Sequence, residues 1–373
     1  MKPYEDTVIA DVVPVTTLKV SAYKIPTATP ESDGTTEWKS TTLILVEINA
    51  ADKTGIGYTY ANEAAAIVID KVLKNIIVDA NALDIPSLNA KMIAAIRNDG
   101  QTGIAMMAVS AIDNALWDLK AKLFDVPLCN LLGKAKDGML IYGSGGFTSY
   151  NKKQLQQQLI GWVDEGIQHV KIKIGTHAEK DIERVQHARD AIGDDVKLFV
   201  DANGAYTIKQ AIEKSYQFKE YNISWFEEPV TSDNLEGLQF IREHVQPGVK
   251  IAAGEYGYNL PYFYHMLKAN AIDVLQADAT RCGGITNFLK AASLAEAQQI
   301  LFSSHCASAL HLHAALSLNN FYIAENFYDH ARIENMLFDG VMQSKDGCIY
   351  PDVTRPGFGL EFKYEDAAKY KIN

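Results

Sequence analysis

Residues that can do acid–base or metal chemistry recur through the second half of the chain, each at the end of a short apolar segment. They follow one another at intervals of 20 to 28 residues: Lys173, Asp201, Glu227, Glu255, Asp278, His305 and Glu325. Three successive members are carboxylates, and carboxylates brought together repel one another unless a cation neutralises them. Hard oxygen ligands select Mg²⁺, with Mn²⁺ as a substitute, over zinc. The spacing therefore predicts a metal site at Asp201, Glu227 and Glu255.

Two lysines accompany these carboxylates and offer a rival explanation. Lys171 and Lys173 share one face of a predicted strand, whereas Val170 and Ile172 share the other face. A structural salt-bridge cluster would neutralise part of the negative charge, but it leaves three anions against two cations. One charged residue at a strand end is usually a solvated terminus. Seven in phase favour a shared functional rim.

The segments that must position these residues alternate between short apolar strands and helices from residue 138 onwards. Strands are predicted near 139–144, 168–173, 196–201, 223–227, 250–255, 272–278, 299–305 and 321–325. Helices are predicted between most of them, for example Leu155–Glu165 and Ile182–Ile192, each closed by a glycine. This alternation predicts a parallel sheet, and eight strands favour a closed α/β barrel, although an open doubly wound sheet also fits.

The first third of the chain has a different pattern. Residues 8–60 are predicted to form antiparallel strands, with a turn at Gly55–Gly57 and a polar loop at 25–34 that contains two prolines. Such long loops are often lids, although a mobile surface loop fits as well. From about 62 to 133 the pattern is helical. One apolar helical stripe runs through this part: Val109, Ile112, Leu116, Leu119 and Leu123.

Composition excludes several classes of partner. The 373 residues are 47% apolar and 22% charged, which allows a sizeable core. A net charge of −11 argues against nucleic acid and anionic membranes, both of which reward basic patches. No apolar run approaches the roughly 20 residues that span a bilayer, and residues 1–6 lack the character of a signal peptide. We expect a cytoplasmic enzyme, and this net charge does not exclude an anionic small substrate.

The four cysteines are scattered and show no metal-binding spacing. Cys129, Cys282, Cys306 and Cys348 are predicted to be reduced structural thiols. Cys306 follows His305 directly, which makes a Cys–His nucleophile conceivable. Adjacent residues of a strand face opposite sides, however, so this alternative is disfavoured.

In their order and spacing, the motifs resemble the enolase superfamily and, within it, the mandelate racemase subgroup. The resemblance covers nearly the whole chain. It rests on Ala111–Lys120, Leu131–Gly133, Lys171-Ile172-Lys173, Val200–Asn203, Phe226–Pro229, Gly254-Glu255, Asp278 with Gly283-Gly284, and Ser304-His305. Singly these motifs are weak; together they are specific.

The resemblance implies a modified (β/α)₇β TIM-like barrel with an N-terminal α+β capping domain. The implied boundaries are 1–136 for the cap, 137–330 for the barrel and 331–373 for a segment returning to the cap. It also implies abstraction of the proton α to a carboxylate, giving an ene-diolate stabilised by Mg²⁺, the enolase-superfamily pattern of a Lys or His base with Mg²⁺.

Roles for single residues follow from the resemblance together with their chemistry. Lys173 would be a base on one face of the substrate, with a pKa lowered by Lys171 and the metal. Lys171 would contact the substrate carboxylate. His305, oriented by Asp278, would be the acid or base on the other face. An aspartate at position 278, where the muconate-lactonizing group has a second lysine, favours the mandelate racemase group.

The remaining candidates are assigned to substrate contacts. Glu325 matches a family acid that hydrogen-bonds the ene-diolate. Asn203 would contact an α-hydroxyl, and Ser144 would contact the carboxylate. Tyr60 belongs to Gly57–Tyr60, which, with the loop around Thr27–Trp38, is where the family places substrate selectivity. That loop region also carries Tyr23, Lys24, Glu31, Asp33 and Trp38.

Four functions remain open at this stage. A sugar-acid dehydratase forming a 2-keto-3-deoxy acid is favoured over a racemase or epimerase of a 2-hydroxy acid by family analogy alone. A metal-free Schiff-base lyase using Lys173 would leave three carboxylates unexplained. A non-catalytic relative would be more attractive if a ligand or base were missing, and none is.

Overall fold

A computed structural model describes residues 12–372, and its N-terminal part is an antiparallel sheet backed by helices. The strands are β1 Thr17–Ser32, β2 Glu37–Ala50 and β3 Lys53–Tyr60. The helices are α1 Ala64–Val68, α2 Lys74–Ile77, α3 Ile85–Ala95, α4 Ile104–Leu123 and α5 Leu128–Leu132, with a π-helical turn at Ile69–Leu73. Sheet and helices form the α+β cap expected from the sequence; the strand predicted at residues 8–11 lies outside the described residues.

Helix α4 packs its predicted apolar stripe against this sheet. Four of the five stripe residues are fully buried and Leu123 is partly buried. The predicted turn at Gly55–Gly57 is wrong, since both glycines lie inside β3 and the turn falls at Ala51–Asp52. A Cβ at either glycine would lie 2.3 Å from a backbone atom of Ala115, so these glycines let α4 approach the strand closely.

The predicted loop at 25–34 is also wrong, because β1 continues to Ser32 and pairs with β2 in a long hairpin. The strand register shifts between Pro26 and Glu31, where proline cannot donate to the ladder. The hairpin turns at Asp33, whose Oδ1 accepts hydrogen bonds of 2.7 Å from the backbone N–H groups of Thr35 and Thr36. We call the end of this hairpin, residues 26–42, the lid hairpin.

The lid hairpin packs against the mouth of an eight-stranded parallel barrel. The barrel strands are β4 Met139–Gly145, β5 His169–Lys173, β6 Lys197–Asp201, β7 Ile223–Glu227, β8 Lys250–Ala253, β9 Val274–Ala277, β10 Leu301–Ser304 and β11 Phe321–Phe327. Strand β11 pairs in parallel with β4, which closes the barrel. The closed barrel with its sheet-rich cap confirms the predicted fold and rules out the open sheet.

A helix follows each of the first seven barrel strands. These helices are α6 Lys152–Asp164, α7 Asp181–Ile192, α8 Ile208–Gln217, α9 Leu235–His244, α10 Leu260–Lys268, α11 Gly284–Ala297 and α12 Ser308–Ala315. Short 3₁₀ turns occupy Ala178–Lys180 and Phe218–Tyr221. Outward-facing strand residues such as Val170, Ile172 and Val200 pack against these helices, as strand parity predicted.

The chain then returns toward the cap. It forms α13 Tyr328–Leu337, β12 Phe338–Asp339, β13 Cys348–Ile349, β14 Glu361–Phe362, α14 Tyr364–Ala367, a 3₁₀ turn at Ala368–Tyr370 and β15 Lys371–Ile372. Strand β13 adds antiparallel to β4, and β15 pairs with β1 of the cap sheet. Within the described residues, no helix is both long enough and apolar enough to cross a membrane.

Three barrel strands end earlier than predicted, which affects how their functional residues are held. Strands β8, β9 and β10 stop before Glu255, Asp278 and His305, so these side chains stand on the following turns. Gly254 allows the turn after β8: its φ is 135°, and a Cβ there would lie 2.0 Å from the carbonyl oxygen of Gln276. Below these turns, the barrel interior is filled by an apolar layer that includes Tyr142, Phe199, Trp225, Ala252, Val274 and Ile323.

Candidate active site

The three predicted metal-binding carboxylates converge inside the barrel. Strand pairing aligns Asp201 with Glu227, and the turn after β8 brings Glu255 beside them. One carboxylate oxygen from each of the three lies within 4.8 Å of the other two, and the residues are at most 4% exposed. Burial and the charge of Asp201 raise the pKa of Glu227 well above its usual value. A buried, mutually repelling set of hard oxygen donors fits a divalent cation such as Mg²⁺.

The two lysines occupy different positions in the site. Lys171 is fully buried and bonds Glu227 Oε1 at 2.6 Å and Glu325 Oε1 at 2.8 Å. Lys173 Nζ lies 2.5 Å from Asp201 Oδ2, and its side chain lines a cavity of about 440 Å³ at the barrel mouth. Thus only Lys173 is placed to face a substrate directly.

The sequence predicts a lowered pKa for Lys173, but the protein's own side chains raise it. Burial and Lys171 both act to lower this pKa, but the carboxylates of Asp201, Glu325 and Glu255 together outweigh them and raise it. Sequence reasoning weighed the neighbouring lysine but not the direct pairing of Lys173 with Asp201. The salt bridges also show that the lysines neutralise part of the carboxylate cluster, as the rival explanation requires, although none of these four bridges reaches Glu255.

His305 and Asp278 form a hydrogen-bonded pair at the same mouth. His305 Nδ1 lies 2.8 Å from Asp278 Oδ2, and its Nε2 lies 3.3 Å from Glu255 Oε2. Burial alone would raise the pKa of Asp278, but the hydrogen bond and charge of His305 hold it below its usual value. A further hydrogen bond of 2.7 Å from the N–H of Thr280 fixes the other carboxylate oxygen. Asp278 therefore orients the imidazole while His305 lines the cavity.

The structure contradicts the prediction that Cys306 faces away from His305. Its Sγ lies 3.2 Å from His305 Nε2, because both residues follow the end of β10 and the backbone of Cys306 is left-handed, with φ 50°. Burial and the nearby Glu325 raise the pKa of this thiol well above its usual value. The nucleophile alternative thus stays disfavoured for a different reason, since the thiolate is what attacks.

Glu325 is held at the cavity floor by three donors. Its carboxylate accepts from Ser144 Oγ at 2.6 Å, from the N–H of Cys306 at 2.9 Å and from Lys171 at 2.8 Å. Burial acts to raise the pKa of Glu325, but the charges of Lys171, His305 and Lys173 hold it well below its usual value. Ser144 is fully buried and is not among the residues lining the cavity, so in this structure it reaches the cavity only through Glu325.

Two other predicted substrate contacts do line the cavity. The N–H of Asn203 donates to Asp201 Oδ1 at 2.9 Å, and its side-chain Oδ1 is buried without a hydrogen-bond partner. The hydroxyl of Tyr60 is likewise buried without a partner. Each group can therefore still take up a hydrogen bond from a ligand.

The lid hairpin supplies the cap-side wall of the cavity at the barrel mouth. Asp33 and Trp38 line the cavity, and the indole Nε1 of Trp38 donates to Glu31 Oε2 at 2.9 Å. Glu31 itself is fully buried behind this wall. Tyr23 packs instead against Phe362 of the C-terminal segment, outside the cavity lining.

Sequence reasoning missed Arg281, Tyr256 and His330, all of which line the cavity. Arg281 lies three residues after Asp278, in the loop before the Gly-Gly pair, so its position in that motif was an available signal. Its guanidinium donates to the carbonyl oxygen of Glu255 at 3.1 Å and lies 5.6 Å from the ring of Tyr256. His330 belongs to α13, outside the strand series, and nothing in the strand pattern points to it.

Comparison with known proteins identifies the family. An enolase C-terminal domain-like profile matches residues 154–367, and a mandelate racemase/muconate lactonizing enzyme N-terminal domain profile matches residues 15–133. The chain belongs to the mandelate racemase/muconate lactonizing enzyme family of the enolase superfamily, which confirms the predicted resemblance.

Named relatives cover nearly all of the chain. It is 32% identical over 345 residues to L-talarate/galactarate dehydratase of Salmonella typhimurium, covering 89% of this chain and 85% of the relative. It is also 32% identical over 366 residues to 3,6-anhydro-α-L-galactonate cycloisomerase of Streptomyces coelicolor, covering 95% and 99%.

Two solved structures support the same family assignment. A mandelate racemase/muconate lactonizing enzyme-like protein from Rubrobacter xylanophilus has a TM-score of 0.94 at 48% identity, covering 96% of this chain and all of that one. A Streptomyces coelicolor racemase with bound magnesium has a TM-score of 0.90 at 31% identity, covering 96% and 100%. At the level of the family, the predicted enzyme class and the predicted magnesium cofactor are therefore confirmed.

Proposed function

We propose that this chain is a Mg²⁺-dependent dehydratase that converts a sugar acid to a 2-keto-3-deoxy acid. The observation that carries the proposal is that Lys173 and His305 line one cavity beside the three-carboxylate cluster. Related proteins named as dehydratases support the reaction class. Asp201, Glu227 and Glu255 would hold the cation, which when bound stabilises negative charge developing on the substrate carboxylate.

The chain's own residues account for the proton transfers. One of Lys173 and His305 removes the proton from the carbon next to the carboxylate, and the other donates a proton to the hydroxyl leaving from the adjacent carbon. The C–H and C–O bonds break, water departs, and the resulting enol tautomerises to the keto acid. Asp278 holds the His305 Nδ1 side, so Nε2, which lies beside Glu255 and Cys306, is the nitrogen that would serve the substrate.

Lys171 and Glu325 would assist at the carboxylate end of the substrate. Lys171 is held by Glu227 and Glu325, and this fixed buried charge favours the electron-rich intermediate without moving during the reaction. Glu325 would hydrogen-bond the same group, and Asn203 would take up an α-hydroxyl. Ser144 would act by fixing Glu325 through its 2.6 Å hydrogen bond.

A second candidate is racemisation or epimerisation of a 2-hydroxy acid, in which the second group returns a proton to the opposite face. The racemase from Streptomyces coelicolor at 31% identity favours keeping it. The deciding experiment incubates the Mg²⁺-loaded enzyme in deuterated buffer with a panel of sugar acids and follows keto acid and α-proton exchange together. Keto acid supports the dehydratase, exchange without keto acid overturns it in favour of the racemase, and neither signal with any acid contradicts both.

We further propose that the protein is a cytoplasmic homo-oligomer without a nucleic-acid partner. We also propose that each chain divides into a capping domain (1–136), a barrel domain (137–330) and a C-terminal segment that returns to the cap (331–373). The four free cysteines fit a reducing compartment, and the net charge of −11 disfavours nucleic acid. The start of β4 at Met139 and the pairing of β15 with β1 support the domain boundaries. Light scattering of the eluted protein tests the oligomer, and a monomer at micromolar concentration would contradict it.

A further inference from the structure

The cavity has two ends of different charge. Among the described residues that line the cavity, the only lysine is Lys173 and the only arginine is Arg281. Both stand at the catalytic end. Each is already engaged by acidic groups: Lys173 by Asp201 at 2.5 Å, and Arg281 by Asp278 at 3.7 Å and Glu255 at 3.9 Å. Positive charge is therefore concentrated where the cation-binding carboxylates lie, and little of it is free.

The cap end is polar but uncharged apart from one acid. Its wall comes from the lid hairpin and the end of β3, and it carries Thr36, Ser40, Thr41, Thr42, Asn62 and the carboxylate of Asp33. Within residues 12–372, no lysine or arginine lines this end. Lys39 of the lid hairpin is directed outward, with 76% of its side chain exposed and Glu37 as its partner.

Tyr60 and His330 complete this neutral wall. Their rings stack with centroids 3.5 Å apart at an angle of 17°, and Tyr60 Oη and His330 Nδ1 are both buried without a hydrogen-bond partner. Burial raises the pKa of Tyr60 well above its usual value, and burial together with the charges of His305 and Arg281 lowers the pKa of His330 to about 3, so both rings are neutral near pH 7. Neutral, unsatisfied donors and acceptors match the hydroxyls of a sugar chain.

On the basis of the proposed function, we propose that the substrate is a monocarboxylic sugar acid, an aldonate. Its single carboxylate lies at the catalytic end, and its uncharged polyol end lies against the hydroxyl-rich wall that contains Tyr60 and His330. A diacid of the same length would bring a second carboxylate into a cavity whose described lining cations, Lys173 and Arg281, are already engaged by acidic side chains. Burying an unpaired charge in this way is strongly unfavourable.

Matched pairs of acids test the inference directly. The Mg²⁺-loaded enzyme is given an aldonate and the aldarate of identical configuration, and kcat/KM is measured for keto acid formation and for α-proton exchange. We expect the aldonate to be preferred by at least about 100-fold, since leaving buried polar groups unpaired can cost a factor of about 10⁴ or more. Equal or better turnover of diacids overturns the inference but leaves the proposed function standing. No turnover or exchange with either class overturns both.

A charge added to the cap wall separates electrostatics from shape. Ser40→Arg should reduce the aldonate preference at least tenfold, whereas Ser293→Arg, which adds the same charge on the exposed side of α11, should leave the ratio unchanged. Binding of both acids to the Mg²⁺-loaded Lys173→Ala variant by calorimetry should show the same preference without turnover. An unchanged ratio in Ser40→Arg would overturn the inference that charge excludes the diacid.

Discussion

The barrel rim and the lid hairpin face the same cavity, but they are built on different physical principles. The rim residues stand at or just after the ends of the parallel barrel strands, and ion pairs hold four of them: Lys173 to Asp201, and Lys171 to Glu227. The lid hairpin has a shifted register and two prolines, and hydroxyl-bearing side chains dominate its cavity wall. The rim is therefore suited to one invariant step, whereas the lid can determine which acid is bound.

The largest effect should follow from removing a predicted metal ligand at the rim. Asp201→Asn takes away one of three carboxylates while keeping the side-chain volume, and we expect turnover to fall on the order of 10³-fold or more, since the metal contributes several kcal/mol. Calorimetry with Mg²⁺ should show weaker metal binding, and chelation of the wild-type enzyme should abolish turnover.

Asp181→Asn is a matched control, because Asp181 is also a buried aspartate but bonds Tyr206 and the N–H of Gly175 outside the cavity. It should keep its Mg²⁺ affinity even if it loses stability. Full activity of Asp201→Asn in metal-free buffer would favour the salt-bridge explanation of the carboxylate cluster.

A smaller effect is expected at the pair on the other side of the cavity. Asp278→Asn removes the charge that accepts from His305 Nδ1, and we expect kcat to fall about 10²- to 10⁴-fold while Mg²⁺ affinity is retained. The rate and its pH profile are measured together, because a purely structural loss would lower kcat without changing the shape of the profile. An unaltered kcat would remove Asp278 and His305 from the proposed proton transfers.

The same contrast explains what the sequence could reveal. The rim residues recur with the strand–helix repeat, each at the end of an apolar segment. The series from Lys173 to Glu325 could therefore be predicted from the sequence. The sequence predicts a loop where the lid hairpin lies, because Pro26 and Pro30 are typical loop residues. The sequence alone does not show that β1 continues past them and pairs with β2. His330 was missed because only the packing of α13 against Tyr60 brings it to the cavity.

The next prediction concerns how the lid rests on the rim. Gly34 lies so close to the barrel that a Cβ would be 2.3 Å from the carbonyl oxygen of Ala202. Gly34→Ala should displace the lid hairpin and raise KM roughly tenfold, about 1.4 kcal/mol of binding, with Mg²⁺ affinity unchanged.

Gly161→Ala is the matched control, because a Cβ at that helical position meets nothing within 4 Å. It should leave KM unchanged and slightly stabilise α6. Were Gly34→Ala to weaken Mg²⁺ binding instead, the lid and the rim would not be separable in the way proposed.

The smallest effect should be a pH dependence seated in the lid. Burial and the charge of Asp329 raise the pKa of Glu31 from its usual value to about 8, against the hydrogen bond from Trp38. The folded chain then holds this proton more tightly than the unfolded chain does, so Glu31 should make the free energy of unfolding fall as pH rises from about 4.5 to 8. Glu31→Gln keeps the shape of the neutral acid and removes the titration. Denaturant unfolding at pH 5 and pH 8.5 should therefore give a smaller decrease in the variant, by about 1 kcal/mol or more. Equal decreases in both proteins would show that Glu31 is not held protonated behind Trp38.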